Sequence, residues 1–200
     1  MTERGTAAYS GLDGLPPLVR SAVASAQRAG FDFCCLPQQG MLLRVLAGGA
    51  GPGVIGETGT GFGAGLAWLA AGAHPGARLI SVEREPRRAK AAADLFVGTP
   101  RIEVHEGDWQ ALHAFAPFDL LVLDGGGQGK GDEPPLEPAR WMRPGGLIVI
   151  DDFTPLTAWP PTFAGKPDLA RLYWLEHRDL RATQVNVTPE SATILATYLG

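Results

Sequence analysis

The feature that most constrains this chain is an alternation between short, continuously apolar runs and segments of helical periodicity, with glycine or proline marking most junctions. Residues 53–57, 78–82, 102–105, 118–123 and 146–150 read as strands, and residues 63–72, 86–96 and 109–116 as helices between them. Runs without polar alternation suit strands covered by helices on both faces, hence a parallel sheet. Two earlier helices are expected, over 15–30 with Pro16 and Pro17 near its start and Gly30 past its end, and over 38–47. The tail differs: 180–187 and 192–198 are rich in Thr and Val and are separated by Thr188, Pro189 and Glu190, the spacing of an antiparallel pair closing the sheet edge. The expected architecture is α/β, a doubly wound and mostly parallel sheet ending in an antiparallel hairpin. Residues 1–14 are expected to be a flexible N-terminus and 15–200 a single domain, the natural count for 200 residues of which 45% are hydrophobic.

Charge and cysteine usage exclude several classes. Charged residues make up 19% of the chain and the net charge is −4, which argues against a broad nucleic-acid surface. Arg84, Arg87, Arg88 and Lys90 cluster, but read as a solvated helix face. The N-terminus lacks the apolar stretch of a signal peptide, and no run approaches the roughly 18 apolar residues that cross a membrane. Cys34 and Cys35 are adjacent and offer neither a disulfide framework nor metal-ligand spacing; they read as core or pocket-edge thiols in a reducing compartment, with the cytoplasm the simplest address.

Chemistry concentrates first in Val54-Ile55-Gly56-Glu57-Thr58-Gly59-Thr60-Gly61-Phe62-Gly63, where a strand turns into a helix. Glycines there let backbone approach a ligand beyond the carboxyl ends of the strands. Gly59, Gly61 and Ala64 satisfy a dinucleotide fingerprint, while Glu57, Gly59, Gly61 and Gly63 satisfy that of S-adenosylmethionine (SAM) enzymes. Glu57 favours the second. A carboxylate beside a pyrophosphate repels it, by several kcal/mol on the order of what like charges cost a few Å apart in a partly buried site, whereas the ammonium and sulfonium of SAM are cationic. Glu83, at the end of the next strand, suits both ribose hydroxyls. Asp108 and Trp109 follow the third strand; Asp108 reads as an acceptor from the adenine amino group or as the N-cap of the next helix, and Trp109 as a ring beside the base.

These motifs resemble class I SAM-dependent methyltransferases, and among them the small O-methyltransferases related to catechol O-methyltransferase. The resemblance covers about residues 35–200 and rests on Pro37-Gln38-Gln39-Gly40, the 57–63 loop, Glu83, Gly107-Asp108, Phe118-Asp119-Leu120-Leu121-Val122-Leu123-Asp124, and Arg143-Pro144-Gly145-Gly146-Leu147-Ile148-Val149-Ile150-Asp151-Asp152. It implies a Rossmann-like seven-stranded sheet with an antiparallel C-terminal strand, cofactor contacts from Glu57, Gly59, Gly61, Gly63, Glu83, Asp108, Trp109 and Asp124, and a divalent cation, Mg²⁺ or Ca²⁺, at Asp124, Asp151 and Asp152. Asp152 stands where the family carries Asn. Many relatives carry a general-base lysine three residues after the β4 aspartate; here that position is Gly127. Lys130 lies on the same glycine-rich loop and is expected to be solvent-exposed unless it swings inward. The base is therefore unassigned, with Asp124 and Lys130 the catalytic candidates. Loop 153–167, with Trp159, Pro160, Pro161 and Phe163, is the expected wall for a small hydroxylated acceptor of apolar or aromatic character, or else packs on the helix that follows. The four histidines show no ligand spacing, and Trp68, Trp141 and Trp174 read as core.

Two rivals stay open at this stage. An NAD-dependent oxidoreductase lacks support from a Tyr-x-x-x-Lys pair, and a non-catalytic SAM-binding domain gains some from the missing lysine. Oligomeric state is open, a homodimer through the N-terminal helices being one option.

Overall fold

The computed structural model describes residues 5–200. Seven strands form one sheet: β1 (Val54–Thr58), β2 (Arg78–Glu83), β3 (Ile102–Glu106), β4 (Phe118–Leu123), β5 (Met142–Phe153), β6 (Leu180–Asn186) and β7 (Ala192–Tyr198). Their spatial order is β3-β2-β1-β4-β5-β7-β6. The first five run parallel, and β7 is antiparallel to both of its neighbours, β5 and β6. This is the Rossmann-like seven-stranded mixed sheet expected from the sequence. The chain leaves β1 toward β2 and later returns to its other side with β4, so the topological switch point lies between β1 and β4. Thr58 is level with Val82 and with Leu123, so the loops after β1, β2 and β4 start side by side.

The helices are α1 (Pro17–Arg28), α2 (Pro37–Gly49), α3 (Ala64–Gly72), α4 (Pro86–Leu95), the single turn α5 (Pro138–Trp141) and α6 (Leu169–Glu176). Proline occupies the first turn of α1, α2, α4 and α5, where its missing N–H costs nothing. Two apolar clusters cover the two faces of the sheet. One joins Ile55, Leu79, Leu120, Val122 and Val149 to α1, α2 and α3; the other joins Ile80, Val82, Leu121, Leu123, Ile148 and Ile150 to Trp141 and Trp174. Burial on both faces is why the central strands carry no polar alternation. On the first face α2 and α3 lie so close that a methyl group at Gly72 would overlap the Arg44 carbonyl.

Several expectations need correction. Residues 1–4 of the expected flexible N-terminus lie outside the described residues, but from Gly5 onward that stretch is docked. Thr6 N–H donates to Asp32 O (3.1 Å), Thr6 Oγ1 to Phe31 O (2.7 Å), and the buried Tyr9 hydroxyl to Cys35 O (2.9 Å). Trp68 Nε1 donates to that same hydroxyl at 3.0 Å. The segment after β3 is a 3₁₀ helix, Trp109–Phe115, held between the Asp108 cap and Pro117. Strand β5 starts earlier than its apolar run, because Met142 pairs with Phe118 across a register irregularity that absorbs the Pro144-Gly145-Gly146 stretch. A two-stranded hairpin, Thr162–Phe163 with Lys166–Pro167, lies inside the loop after β5. Among the described residues no helix is long and apolar enough to cross a membrane.

Candidate active site

A cavity of about 780 Å³ opens at the carboxyl ends of β1, β2 and β4, where the strand order places a ligand. Of the residues singled out in the sequence, Glu57, Gly59, Gly61, Glu83, Asp108, Trp109, Asp124, Lys130 and Asp152 line it. Gly63 and Asp151 do not line it. Gly63 instead caps α3 in a left-handed conformation (φ 89°), and Asp151 is buried just behind the wall.

The glycine loop has a steric reason. Gly59 adopts φ 85°, and a Cβ there would sit 2.6 Å from Gly125 Cα, so the backbones after β1 and β4 touch with no room for side chains. Thr58 stitches the same junction: its Oγ1 donates to Gly126 O at 3.0 Å, and its carbonyl accepts from Asp124 N–H at 3.2 Å. Thus Asp124 is delivered to the cavity by the first backbone atoms beyond β4.

Glu57 is 2% exposed, and its carboxyl fills the space where a Gly65 side chain would stand at the start of α3. Ser81 Oγ donates to its Oε2 at 2.7 Å. Burial pushes the Glu57 carboxyl up to about 8; the Ser81 hydrogen bond opposes this and the Glu83 charge adds to it. Glu83 is well supplied with donors. Gly61 N–H reaches its Oε2 at 2.8 Å, while Oε1 takes Glu85 N–H (2.9 Å) and both Nε (3.0 Å) and Nη2 (2.7 Å) of Arg88. Arg88 also lies over the Phe31 ring, 5.5 Å from its centre. Arg88, read from sequence as part of a solvated face, is therefore part of this site. The spacing Glu83…Arg88 across the cap of a helix was the available signal.

Beyond β3, Asp108 caps the 3₁₀ helix through Gln110 N–H (3.1 Å) and remains exposed at the rim. This is the N-cap reading of Asp108. Trp109 packs on the Gly126 backbone and lies 5.6 Å from the Trp141 ring, centre to centre.

At the opposite end Asp124, Asp151 and Asp152 each offer an oxygen within 4.8 Å of the others. Burial, and then the charges of Asp151, Asp152 and Glu57, hold the Asp124 carboxyl well above the usual carboxylate range. Asp151 is pushed up to about 7 by burial and by Asp152, against the Asp152 N–H and the Lys130 charge. Asp152 sits in the left-handed region (φ 64°), and this turn brings its carboxylate to the cluster.

Lys130 departs from the exposed position expected of it. Its Nζ donates to Asp151 O (2.6 Å) and Asp152 O (2.7 Å) and lies 4.3 Å from the centre of the Phe153 ring. Burial lowers its pKa, against the surrounding carboxylates of Asp152, Asp151, Asp124 and Asp168. The loop that carries it is fastened by Gln128, a residue sequence reasoning passed over. Gln128 Nε2 donates to Leu123 O (2.8 Å) and Asp151 O (3.0 Å), and the main-chain carbonyl of Gln128 accepts from Trp174 Nε1 (2.8 Å). Cys34 and Cys35 are buried at the cavity edge, as expected of pocket thiols.

Comparison with known proteins agrees with this geometry. A family profile described as "Methyltransferase domain" matches residues 57–153, the stretch from Glu57 to the end of β5. The catechol O-methyltransferase of Mycobacterium tuberculosis (strain ATCC 25618 / H37Rv) is 30% identical over 154 residues, covering 72% of this chain and 68% of that protein. The chain belongs to the catechol O-methyltransferase-like family of class I SAM-dependent O-methyltransferases. A second family relative, from Mycobacterium sp. (strain JLS), is 31% identical over 140 residues; the match spans 64% of this chain and 62% of that relative's length. Among solved structures, cofactor-bound Rv0187 from MTB superimposes with a TM-score of 0.73 at 26% identity, covering 95% of this chain and 93% of that one. The O-methyltransferase TomG from Streptomyces achromogenes, in complex with SAM, shares the fold with a TM-score of 0.72 at 23% identity and full coverage of both chains. Most of the acidic and glycine-rich positions quoted from the sequence meet in one cavity, Gly63 and Asp151 being the exceptions.

Proposed function

We propose that this chain transfers a methyl group from SAM to the hydroxyl oxygen of a small hydroxylated, aromatic acceptor. The observation that carries this reading is the charge layout of the cavity. Glu57 and Glu83 flank the bare Gly59–Gly61 backbone at one end, and three carboxylates converge at the other. A cationic cofactor suits the first end, since its ammonium and sulfonium draw Glu57 into its ionised form; a pyrophosphate meets two acids there. Among the described residues Glu83 Oε2 carries a single donor, the Gly61 N–H, and so keeps acceptor capacity toward ribose hydroxyls. Trp109 and Asp108 would bracket the adenine.

In methyl transfer the acceptor oxygen forms a bond to the methyl carbon as the carbon–sulfur bond breaks, and the bonding pair leaves on sulfur as a neutral thioether. The carbon is already activated, so the protein chiefly aligns the two partners. Asp124 lines the cavity at the first residue beyond β4 and is the group we assign to orient the acceptor hydroxyl, directly or through a bound cation. The donor set of Asp124, Asp151 and Asp152 is all hard oxygen, converges within 4.8 Å and is held together against its own repulsion, which fits Mg²⁺ or Ca²⁺. When bound there, such a cation supplies a lowered pKa and a fixed orientation for the acceptor hydroxyl. Trp159 and Phe163, both exposed on the loop after β5, would form the wall against the acceptor ring. The buried, unpaired thiols of Cys34 and Cys35 support a reducing, cytoplasmic location.

The test is a thermal-shift series with SAM, S-adenosylhomocysteine and NAD, followed by labelled-methyl turnover on a panel of phenols. A ligand that binds the folded state raises its midpoint by mass action. The expected result is stabilisation by SAM and S-adenosylhomocysteine, and transfer to at least one phenol. Stabilisation by NAD alone reassigns the chain to dinucleotide chemistry; stabilisation by SAM with no transfer leaves a binding domain.

A further inference from the structure

Lys130 is six residues beyond Asp124 on a loop with glycine at every second position from Gly125 to Gly131, a composition that reads as freely mobile. The contacts contradict mobility. Gln128 ties the loop to the ends of β4 and β5, Leu136 N–H donates to Gly127 O at 3.0 Å, and Gly127 N–H donates to Glu133 Oε2 at 3.0 Å. Held this way, the lysine carries its amine over the Phe153 ring and into the acidic part of the cavity. Its amine there donates to two main-chain carbonyls, those of Asp151 and Asp152, the residues whose side chains form two-thirds of the carboxylate cluster.

In this pose the nitrogen is a donor on every side the structure shows: to two carbonyl oxygens, toward the face of the Phe153 ring and toward the acids. A general base needs an open lone pair aimed at the acceptor, and this geometry gives the nitrogen no such aim. What it does supply is one fixed positive charge beside a cluster that otherwise attracts a divalent cation. It also withdraws two carbonyl oxygens from the pool of ligands a metal ion could use.

We propose that Lys130 is a tethered counter-ion of the Asp124–Asp151–Asp152 cluster, and that a divalent cation binds there only in competition with it. The inference rests on the reading of that cluster as a cation site, and not on which molecule is methylated. Its consequence is that divalent affinity is weak in the native chain and is set by how readily the lysine withdraws. With the loop held in place, the amine withdraws by rotation of the lysine's own side chain, which is half-buried.

The test uses Mn²⁺ as probe, titrated into the full chain by calorimetry and by electron paramagnetic resonance, for the native protein, Lys130→Gln and Lys130→Arg. Circular dichroism and S-adenosylhomocysteine binding check that each variant is folded. Removing a unit charge a few Å from the ion is expected to tighten Mn²⁺ binding by about tenfold or more in Lys130→Gln, while Lys130→Arg stays near the native value. Adding Asp152→Asn to Lys130→Gln is expected to abolish the gain. A folded Lys130→Gln that binds Mn²⁺ no more tightly than the native chain overturns the proposal. Should that variant fail to fold, the native protein still decides. With only Lys90, Lys130 and Lys166 to resolve, a ¹³C-lysine spectrum follows the Lys130 Cε signal during Mg²⁺ titration. Movement of that signal with saturation of the metal site supports competition, and a static signal while Mg²⁺ binds refutes it. Failure of O-methylation shows separately, as Mn²⁺ competition without turnover on any phenol.

Discussion

Replacing Glu57 with glutamine should stabilise the ligand-free protein while weakening its hold on SAM. The carboxyl rises from the ordinary 4.5 to about 8 on folding, chiefly because it is buried. A carboxyl raised in this way makes its full contribution below about pH 4.5 and loses it as pH climbs through about 8, since the unfolded chain ionises first. At 1.36 kcal/mol per unit, the accumulated cost is about 2 kcal/mol at pH 6 and about 4 kcal/mol at pH 8. Glutamine keeps an oxygen for the Ser81 hydroxyl and never ionises, so it escapes the charge. Urea denaturation of both proteins at the two pH values isolates the effect, because titrations shared with Asp124 and Asp151 largely cancel in the difference. The variant's advantage is expected to grow by about 2 kcal/mol between pH 6 and pH 8. Native affinity for SAM should improve by up to about tenfold per pH unit on approach to pH 8, as less proton has to be displaced, and the variant should lack this slope. A stability difference that is the same at both pH values would refute the argument that Glu57 is held protonated by its surroundings.

Three further outcomes are expected. Glu83→Gln turns an amide NH₂ toward donors it cannot accept from, so S-adenosylhomocysteine binding measured by calorimetry should weaken about ten- to a hundredfold; unchanged affinity would remove Glu83 from the ribose role. Gly59→Ala forces a methyl group onto Gly125 in a left-handed backbone and should cost about 1–3 kcal/mol in thermal melts, with a native-like midpoint counting against the close crossing. Trp159→Ala and Phe163→Ala, at 56% and 65% exposure, should change stability by no more than about 0.5 kcal/mol yet raise KM for an aromatic acceptor. Equal KM values would retire the aromatic wall.

What the sequence disclosed and what it withheld divide along the range of the interactions involved. The glycine loop, Glu83 and the strand-end aspartates were legible because strand ends and turn chemistry are local, and because a doubly wound sheet puts them at one edge. Prolines in the first turn located most of the helices for the same reason. Lys130 was misjudged because its position depends on carbonyls of Asp151 and Asp152, more than twenty residues away, and glycine spacing around it carries no hint of them. Tyr9 was lost to an expected flexible end for a similar cause: its partners are Cys35 and Trp68. Arg88 sits in a helix whose charge pattern looks like an ordinary wet face, and only the turn of chain after β2 reveals that it reaches back to Glu83. The early start of β5 was hidden by Pro144 and two glycines, which break periodicity without breaking the pairing of Met142 with Phe118.

The position of β7 reaches further than the sheet edge. Among the described residues strand β6 pairs only with β7, through a short return over 187–191, so the two make a local ribbon that joins the sheet along β5 and packs against α6, where Arg171 Nη1 donates to Gln184 Oε1 at 3.0 Å. Its docking line runs from Leu147 to Phe153, and Thr193 Oγ1 holds the Ile150 carbonyl at 2.8 Å, one residue before Asp151. Asp151 and Asp152, the last two acids of the cluster, are thus braced from behind by a ribbon that contributes no residue to the lining of the cavity. Loosening that brace at its far turn would blur the spacing of the acids while leaving every cavity residue in place, so mutations there should read as catalytic defects with no chemical group missing.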